Sequence, residues 1–317
     1  MSSLFFTGFQ TTFTSMLRIV LVAGFAGFLV RRRIITSQDI DTLSRVTVLV
    51  LVPCLTFAIL INQLNPDTIP CWWALPLVSA AMNLIGVLFG WILFGGKMAG
   101  NRELMAMSGI QNSVYLVLPV GQVLFANQFE TFAAYCFLFV MGNIPITWTL
   151  GVFLVGREGN RLNLKQLFNL PLMASIAGIA LVLLGLNTSI PDLIMEPIEL
   201  LGSATIPLAT FILGATLGEV RMKSLPPWHK LVRVVSAKFI LVPLVTAAMV
   251  IAFGLKESQP LIASLLMIQS ASAPATNIIL QARTYGGRTE LMGSTMIVCY
   301  LVCLLAIPFW LSLVAPI

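Results

Sequence analysis

Gly109-Ile110-Gln111-Asn112-Ser113-Val114-Tyr115-Leu116-Val117-Leu118-Pro119-Val120-Gly121 and Gln269-Ser270-Ala271-Ser272-Ala273-Pro274-Ala275-Thr276-Asn277 each set polar side chains and a proline in the middle of a long apolar run. Buried amides and hydroxyls cost free energy unless they find partners. A proline inside a helix removes one backbone donor and disturbs the turn before it. The reading is of two interrupted helices whose freed backbone groups line a cavity. The plainer alternative is a pair of proline-kinked helices whose polar side chains bond between helices. Two such stretches, in corresponding positions of the two halves of one chain, favour the interruption.

The rest of the chain supplies the setting. Of its 317 residues 58% are hydrophobic and only 9% are charged, and mean hydropathy is +0.97. A soluble domain carries roughly 25% charged residues. Apolar runs near 20 residues with little alternation read as membrane-crossing helices. Ten cores are expected: Phe5–Val30, Val46–Ile61, Trp72–Phe94, Leu104–Phe125, Phe132–Val155, Leu167–Leu186, Ile198–Leu217, Leu231–Phe253, Leu261–Ala282 and Leu291–Val314. The connections are short, and the first run is too long and lacks the basic start of a cleaved signal.

The basic residues alternate with this count. Arg31, Arg32, Arg33, Arg45, Lys97, Arg102, Arg157, Arg161, Lys165, Arg221, Lys223, Lys230, Arg233, Arg283 and Arg288 all fall on one side, and Lys256 alone on the other. The positive-inside rule then makes the basic side cytoplasmic and both termini non-cytoplasmic. The net charge of +6 follows from that rule and does not point to nucleic acid. The chain also echoes itself. Pro53-Cys54-Leu55-Thr56-Phe57 resembles Pro207-Leu208-Ala209-Thr210-Phe211, and Ile144-Pro145 resembles Ile307-Pro308. A repeat of five crossings must return inverted, so residues 1–156 form one expected repeat, 157–166 a short cytoplasmic connection, and 167–317 the inverted copy.

Interrupted helices carry a chemical expectation. The second half of each begins with unpaired N–H groups and a positive dipole end, which suit an anion. Pro119 fits the first position of such a half-helix, where no N–H is needed. Beside these ends stand Asn112 and Asn277, with Gln111, Ser113, Gln269, Ser272 and Thr276 as neighbours and Pro274 at the second break. The charges inside spans are Arg18 and Lys238. Arg18 is about 18 Å along its helix from Val30 at 1.5 Å per residue, close to mid-bilayer, where an ionisable group is a functional candidate. It either meets the anion or ties helices together through carbonyls. Lys238 lies about two turns from its helix end, within snorkelling reach of the interface.

Enzyme chemistry has little to stand on. His229 falls in a connection, no His/Glu metal cluster and no Walker motif is present, and Cys54, Cys71, Cys136, Cys299 and Cys303 lack a zinc spacing. Cys299 and Cys303 share a helix face and read as packing residues. No metal or cofactor is expected.

Several segments resemble the auxin efflux carrier family, which includes bacterial malate and malonate permeases and plant PIN-type carriers. The likeness rests on Arg31-Arg32-Arg33 with Asp39 to Arg45 and Pro53-Cys54-Leu55, on Asn112 through Pro119, on Ser203 to Ala209, on Pro274 to Asn277, and on Tyr285-Gly286-Gly287. It implies an all-α polytopic membrane protein of ten transmembrane helices, built as two inverted five-helix repeats with broken, crossing fourth and ninth helices. It further implies an organic anion bound near the crossing, elevator-like movement of one bundle against the other, and a homodimer in the cell membrane, the inner membrane for a bacterial protein. The expectation is a secondary active or facilitative carrier of a small organic anion, a carboxylate first of all, with a proton or sodium ion needed for uptake. The alternative is a membrane receptor that binds the anion without moving it.

Overall fold

The computed structural model describes residues 2–67, 69, 71–156, 168–220 and 225–314. The expected connection at 157–166, with Arg157, Arg161 and Lys165, lies outside the described residues, as do Arg221 and Lys223. The described chain is helical, with no strand among the described residues. The elements are α1 (Ser2–Arg31), α2 (Ser37–Gln63), α3 (Ala74–Leu93), α4 (Arg102–Gly109), α5 (Val117–Leu124), α6 (Ala126–Val155), α7 (Leu170–Leu183), α8 (Asp192–Glu219), α9 (Trp228–Ala252), α10 (Pro260–Ser270), α11 (Asn277–Tyr285) and α12 (Thr289–Val314).

Seven of these are long and apolar enough to cross a membrane: α1, α2, α3, α6, α8, α9 and α12. The sequence reading expected ten crossings, the fourth and ninth of them interrupted. The other three expected crossings depart for local reasons. Two are each split into a pair of short helices, α4 with α5 and α10 with α11. The third, α7, is a 14-residue helix that begins at Leu170, after Asn169 caps the Leu172 N–H. Elsewhere the helix ends follow ordinary chemistry. Thr36 and Asp39 form a reciprocal capping box that starts α2 well before its apolar core. Gly286, at φ 79°, closes α11 in a left-handed conformation that costs a side chain dearly.

Proline also marks the interior of the long helices. Leu51-Val52-Pro53 in α2 and Leu241-Val242-Pro243 in α9 each follow a wide turn, at Thr47–Leu51 and Ala237–Leu241. In α6 the wide turn Thr147–Gly151 follows Pro145. A missing N–H and a bulky ring disturb the regular ladder, and a wider turn of this kind absorbs the mismatch.

Packing relies on small residues, as expected where lipid offers no hydrophobic drive between helices. Along α1 and α8, a Cβ added at Gly214 would lie 2.1 Å from the Ala23 carbonyl oxygen, and one at Gly218 only 2.7 Å from Gly27 Cα. Helix α2 lies against α7 and α8, while α3 lies against α4 and α6. The short helix α4 sits in the groove this creates: Gly86 of α3 would place a Cβ 2.7 Å from Gly109 Cα. That seat holds the end of α4 where its chain leaves the helix.

Candidate functional site: two helix breaks that pair

Helix α4 ends at Gly109 and α10 ends at Ser270. The chain between each of them and the next helix runs extended enough for the two breaks to meet. Gln111 and Pro274 form an isolated antiparallel bridge. The Asn112 N–H donates to the Ala273 carbonyl at 2.8 Å, and the Ala275 N–H donates to the Ile110 carbonyl at 3.1 Å. Both polar stretches are thus real interruptions, and each satisfies part of the other's exposed backbone. A buried, unpaired backbone group would cost as much as a lost hydrogen bond, which explains why two breaks are steadier than one.

The bridge corrects one sequence expectation. Not every N–H at the breaks is bare, since Asn112 and Ala275 spend theirs on each other's strand. The N–H groups of Ser113, Val114, Tyr115 and Val117, at the entrance to α5, make no hydrogen bond among the described residues, nor do those of Thr276 and Asn277 at the entrance to α11. Pro119 stands third in α5, not first. Its missing N–H still falls within the first turn, where helix donors have no intrahelical partner.

Side chains fix the crossing. Asn112, 5% exposed, donates from Nδ2 to the Tyr300 hydroxyl at 2.7 Å and accepts from the Leu116 N–H at 3.3 Å. The Tyr300 hydroxyl in turn donates to the Pro274 carbonyl at 3.3 Å, so one tyrosine of α12 clasps both breaks. Behind this clasp, Asn143 of α6 donates to the Gln111 carbonyl at 3.2 Å and to the Ser113 hydroxyl. Gln269 donates to the Ser113 carbonyl at 3.1 Å, and the Cys136 thiol points at the same oxygen. Gln281 of α11 donates at 3.1 Å to the Thr147 carbonyl, in the wide turn of α6. The Gln111 and Gln269 side-chain oxygens and the Ser272 hydroxyl are buried without a partner among the described residues.

Asn112, Gln111, Ser113, Pro274 and Gln269 are therefore brought together, with Ser272 and Pro119 buried beside them. Thr276 is half-buried, and Asn277 is exposed with no side-chain hydrogen bond among the described residues. Arg18 stands apart. It lies on the exposed face of α1 and makes no hydrogen bond or ion pair among the described residues. Lys238 contradicts the snorkelling expectation: it is 0% exposed. Sequence reasoning passed over Tyr300, Asn143 and Gln281. Asn143 carried the same signal as Asn112, an amide deep in an apolar run, and two residues before a proline.

A cavity of about 360 Å³ reaches the clasp from the side of α1 and α8. Leu116 and Tyr300 form its inner wall, Met16, Leu213 and Leu304 its apolar sides, and Arg31 its only charge among the lining residues. The Arg31 guanidinium is anchored to the Val220 carbonyl at 3.2 Å. Such a space takes an apolar body.

Comparison with known proteins agrees with this architecture. The profile of the family described as "Membrane transport protein" matches residues 11–163 and 158–311. The chain is 23% identical to an uncharacterized transporter of Methanocaldococcus jannaschii over 286 residues, 87% of this chain and 90% of that protein. It is 28% identical to an uncharacterized transporter of Methanothermobacter thermautotrophicus over 225 residues, 67% of this chain and 69% of that one. Over 158 residues it is 29% identical to the protein PIN-LIKES 7 of Arabidopsis thaliana, 46% of this chain and 40% of the plant protein.

Proposed function

This chain belongs to the membrane transport protein family of auxin efflux carriers, and we propose that it carries a small organic anion, a carboxylate with an apolar body, across the cell membrane. It is a multi-pass membrane transporter and not an enzyme. The observation that carries the finer reading is the paired crossing. Two half-helices, α5 and α11, begin beside the bridge with uncommitted N–H groups, and helix N-termini favour negative charge. The carboxylate sits at these donors with Asn112 and Asn277 beside it, and its apolar part fills the cavity against Leu116 and Leu213.

The carrier works by alternating access within two inverted five-helix repeats. Residues 1–156 form the first and 167–317 the second, with both termini non-cytoplasmic. Two groups of helices are the basis of a division of labour: α8 packs on α1 and α2, and α2 on α7, while the breaks are held by α3, α6 and α12, with α1 against α12 and α2 against α6 among the contacts between the groups. The bundle holding the breaks moves against the other in an elevator-like manner. Outward movement of an anion across an inside-negative membrane is favoured by about 2.3 kcal/mol per charge per 100 mV. An anion moving alone would therefore run outward, and uptake needs a coupling proton or sodium ion.

The test is a thermal-shift screen of the purified protein against mono- and dicarboxylates, with and without sodium, followed by labelled flux of each stabilising compound in proteoliposomes. Binding to the native state raises apparent stability. Saturable flux with counterflow is expected. Specific binding with no flux at any gradient would establish a receptor instead.

A further inference from the structure

Among the described residues Lys238 is the one lysine buried completely, and its ammonium nitrogen has no hydrogen-bond partner there. It stands in the wide turn Ala237–Leu241 of α9, a local geometry often found at functional positions. That turn packs against α3, α4 and α12. The last of these, α12, carries Cys299 and Cys303, both buried. Cys303 lines the cavity, and Tyr300, one turn before it, clasps both breaks. Lys238 thus stands in a turn packed against α4, which ends at the first break, and α12, which carries the clasp and a wall of the cavity.

No carboxylate answers it. Helix α3 carries no ionisable residue over Ala74–Leu93. On α4 the ionisable residues are Arg102 and Glu103, in its first turn, where Glu103 is held by Arg288 at 2.6 Å and Arg102 lies over the Phe153 ring. On α12, Glu290 opens the helix and the Tyr300 hydroxyl is committed to Asn112 and Pro274. On its own helix, His229, Lys230 and Arg233 occupy the first turns. A lone buried ammonium is several kcal/mol from being tolerable.

We propose that Lys238 is the proton-coupling group of this carrier: its amine is uncharged when the site is empty and takes one proton when a carboxylate enters. The inference rests on the anion-carrier reading. The nitrogen lone pair of Lys238 forms an N–H bond with a proton from the aqueous phase on the side where the anion enters. The carboxylate stays ionised and supplies the compensating charge. On the opposite side the anion leaves and the proton follows it, with no covalent bond of the anion broken. A monocarboxylate then crosses without net charge, and a dicarboxylate with one negative charge.

The experiment uses the full chain and its K238M and K238Q variants in proteoliposomes, with labelled acetate, phenylacetate, malonate and malate and an entrapped pH dye. For the wild type, about one proton per anion is expected, with half-saturation rising about tenfold per pH unit on the alkaline side. In the variants the proton count falls to zero and the pH dependence flattens. Calorimetry of wild-type binding in two buffers of different ionisation enthalpy gives the same proton count without any variant, should the variants fail to insert. Zero protons per anion in the wild type, or a proton count unchanged in K238M and K238Q, would overturn the role of Lys238 while leaving an anion carrier standing. Absence of saturable flux and binding for all four anions would remove the carrier reading and this proposal together.

Discussion

At the scale of single residues, Asn112 and Asn277 look alike in the sequence but are used differently in the fold. Asn112 holds Tyr300 and caps the Leu116 N–H, so its side chain is part of the structure. Asn277 opens α11 with an exposed amide that bonds to nothing described. Asn112→Ala is therefore expected to weaken carboxylate binding about tenfold and also to lower stability by about 1–3 kcal/mol, since it orphans buried groups. Asn277→Ala is expected to weaken binding by a similar factor with an unchanged melting temperature. Calorimetric titration and thermal unfolding of both purified variants separate the two effects. Wild-type affinity in both would remove these amides from the site. Lys238 shows the limit of reading depth from residue count. Two turns from a helix end suggested that the amine reaches the membrane interface, but neighbouring helices decide this, and here α3, α4 and α12 pack over the turn that carries it.

At the scale of elements, the glycines of α1 and α8 carry the packing. Gly214→Val is expected to lower stability by about 3 kcal/mol or more, because its Cβ would enter the Ala23 carbonyl. Gly24→Ala, whose Cβ meets nothing within 4 Å, is the control and should leave stability unchanged or raise it by up to about 1 kcal/mol, alanine being the better helix former. Thermal unfolding in detergent checks both. Arg18 lies on the outer face of α1, where Gln10, Thr11 and Thr14 are also exposed. Arg18→Gln is expected to leave carboxylate affinity within about twofold of wild type, and titration of the purified variant against the best ligand of the screen tests this. A tenfold loss would place the guanidinium at the ligand after all. The helix breaks at α4/α5 and α10/α11 were legible because amides, serines and proline do not collect in mid-membrane by accident. Their pairing through Gln111 and Pro274 was not, since backbone bonds between residues 163 apart leave no local mark.

At the scale of the whole molecule, alternating access requires the cavity walls to move relative to one another. Cysteines placed at Met16 in α1 and Leu304 in α12, joined across the cavity by a short bismaleimide, are expected to abolish flux and to restrict binding to one side. Flux that survives complete cross-linking would rule out this relative motion. The ion pair of Glu103 and Arg288, at 2.6 Å, ties the start of α4 to the turn before α12. It keeps elements distant in sequence within one bundle.

The sequence by itself determined that this protein lives in a membrane, that its spans are built on long apolar runs, and where two of them break. Those outcomes follow from the cost of placing polar groups in hydrocarbon, which each segment meets on its own. Only the tertiary structure decided that the breaks clasp each other, that Tyr300 and Asn143 complete them, that Lys238 is sealed in and that Arg18 faces outward. Direction, burial and pairing depend on which neighbour lies across the gap, and the physical reason is that hydrogen bonds and close packing are made in space between segments far apart along the chain.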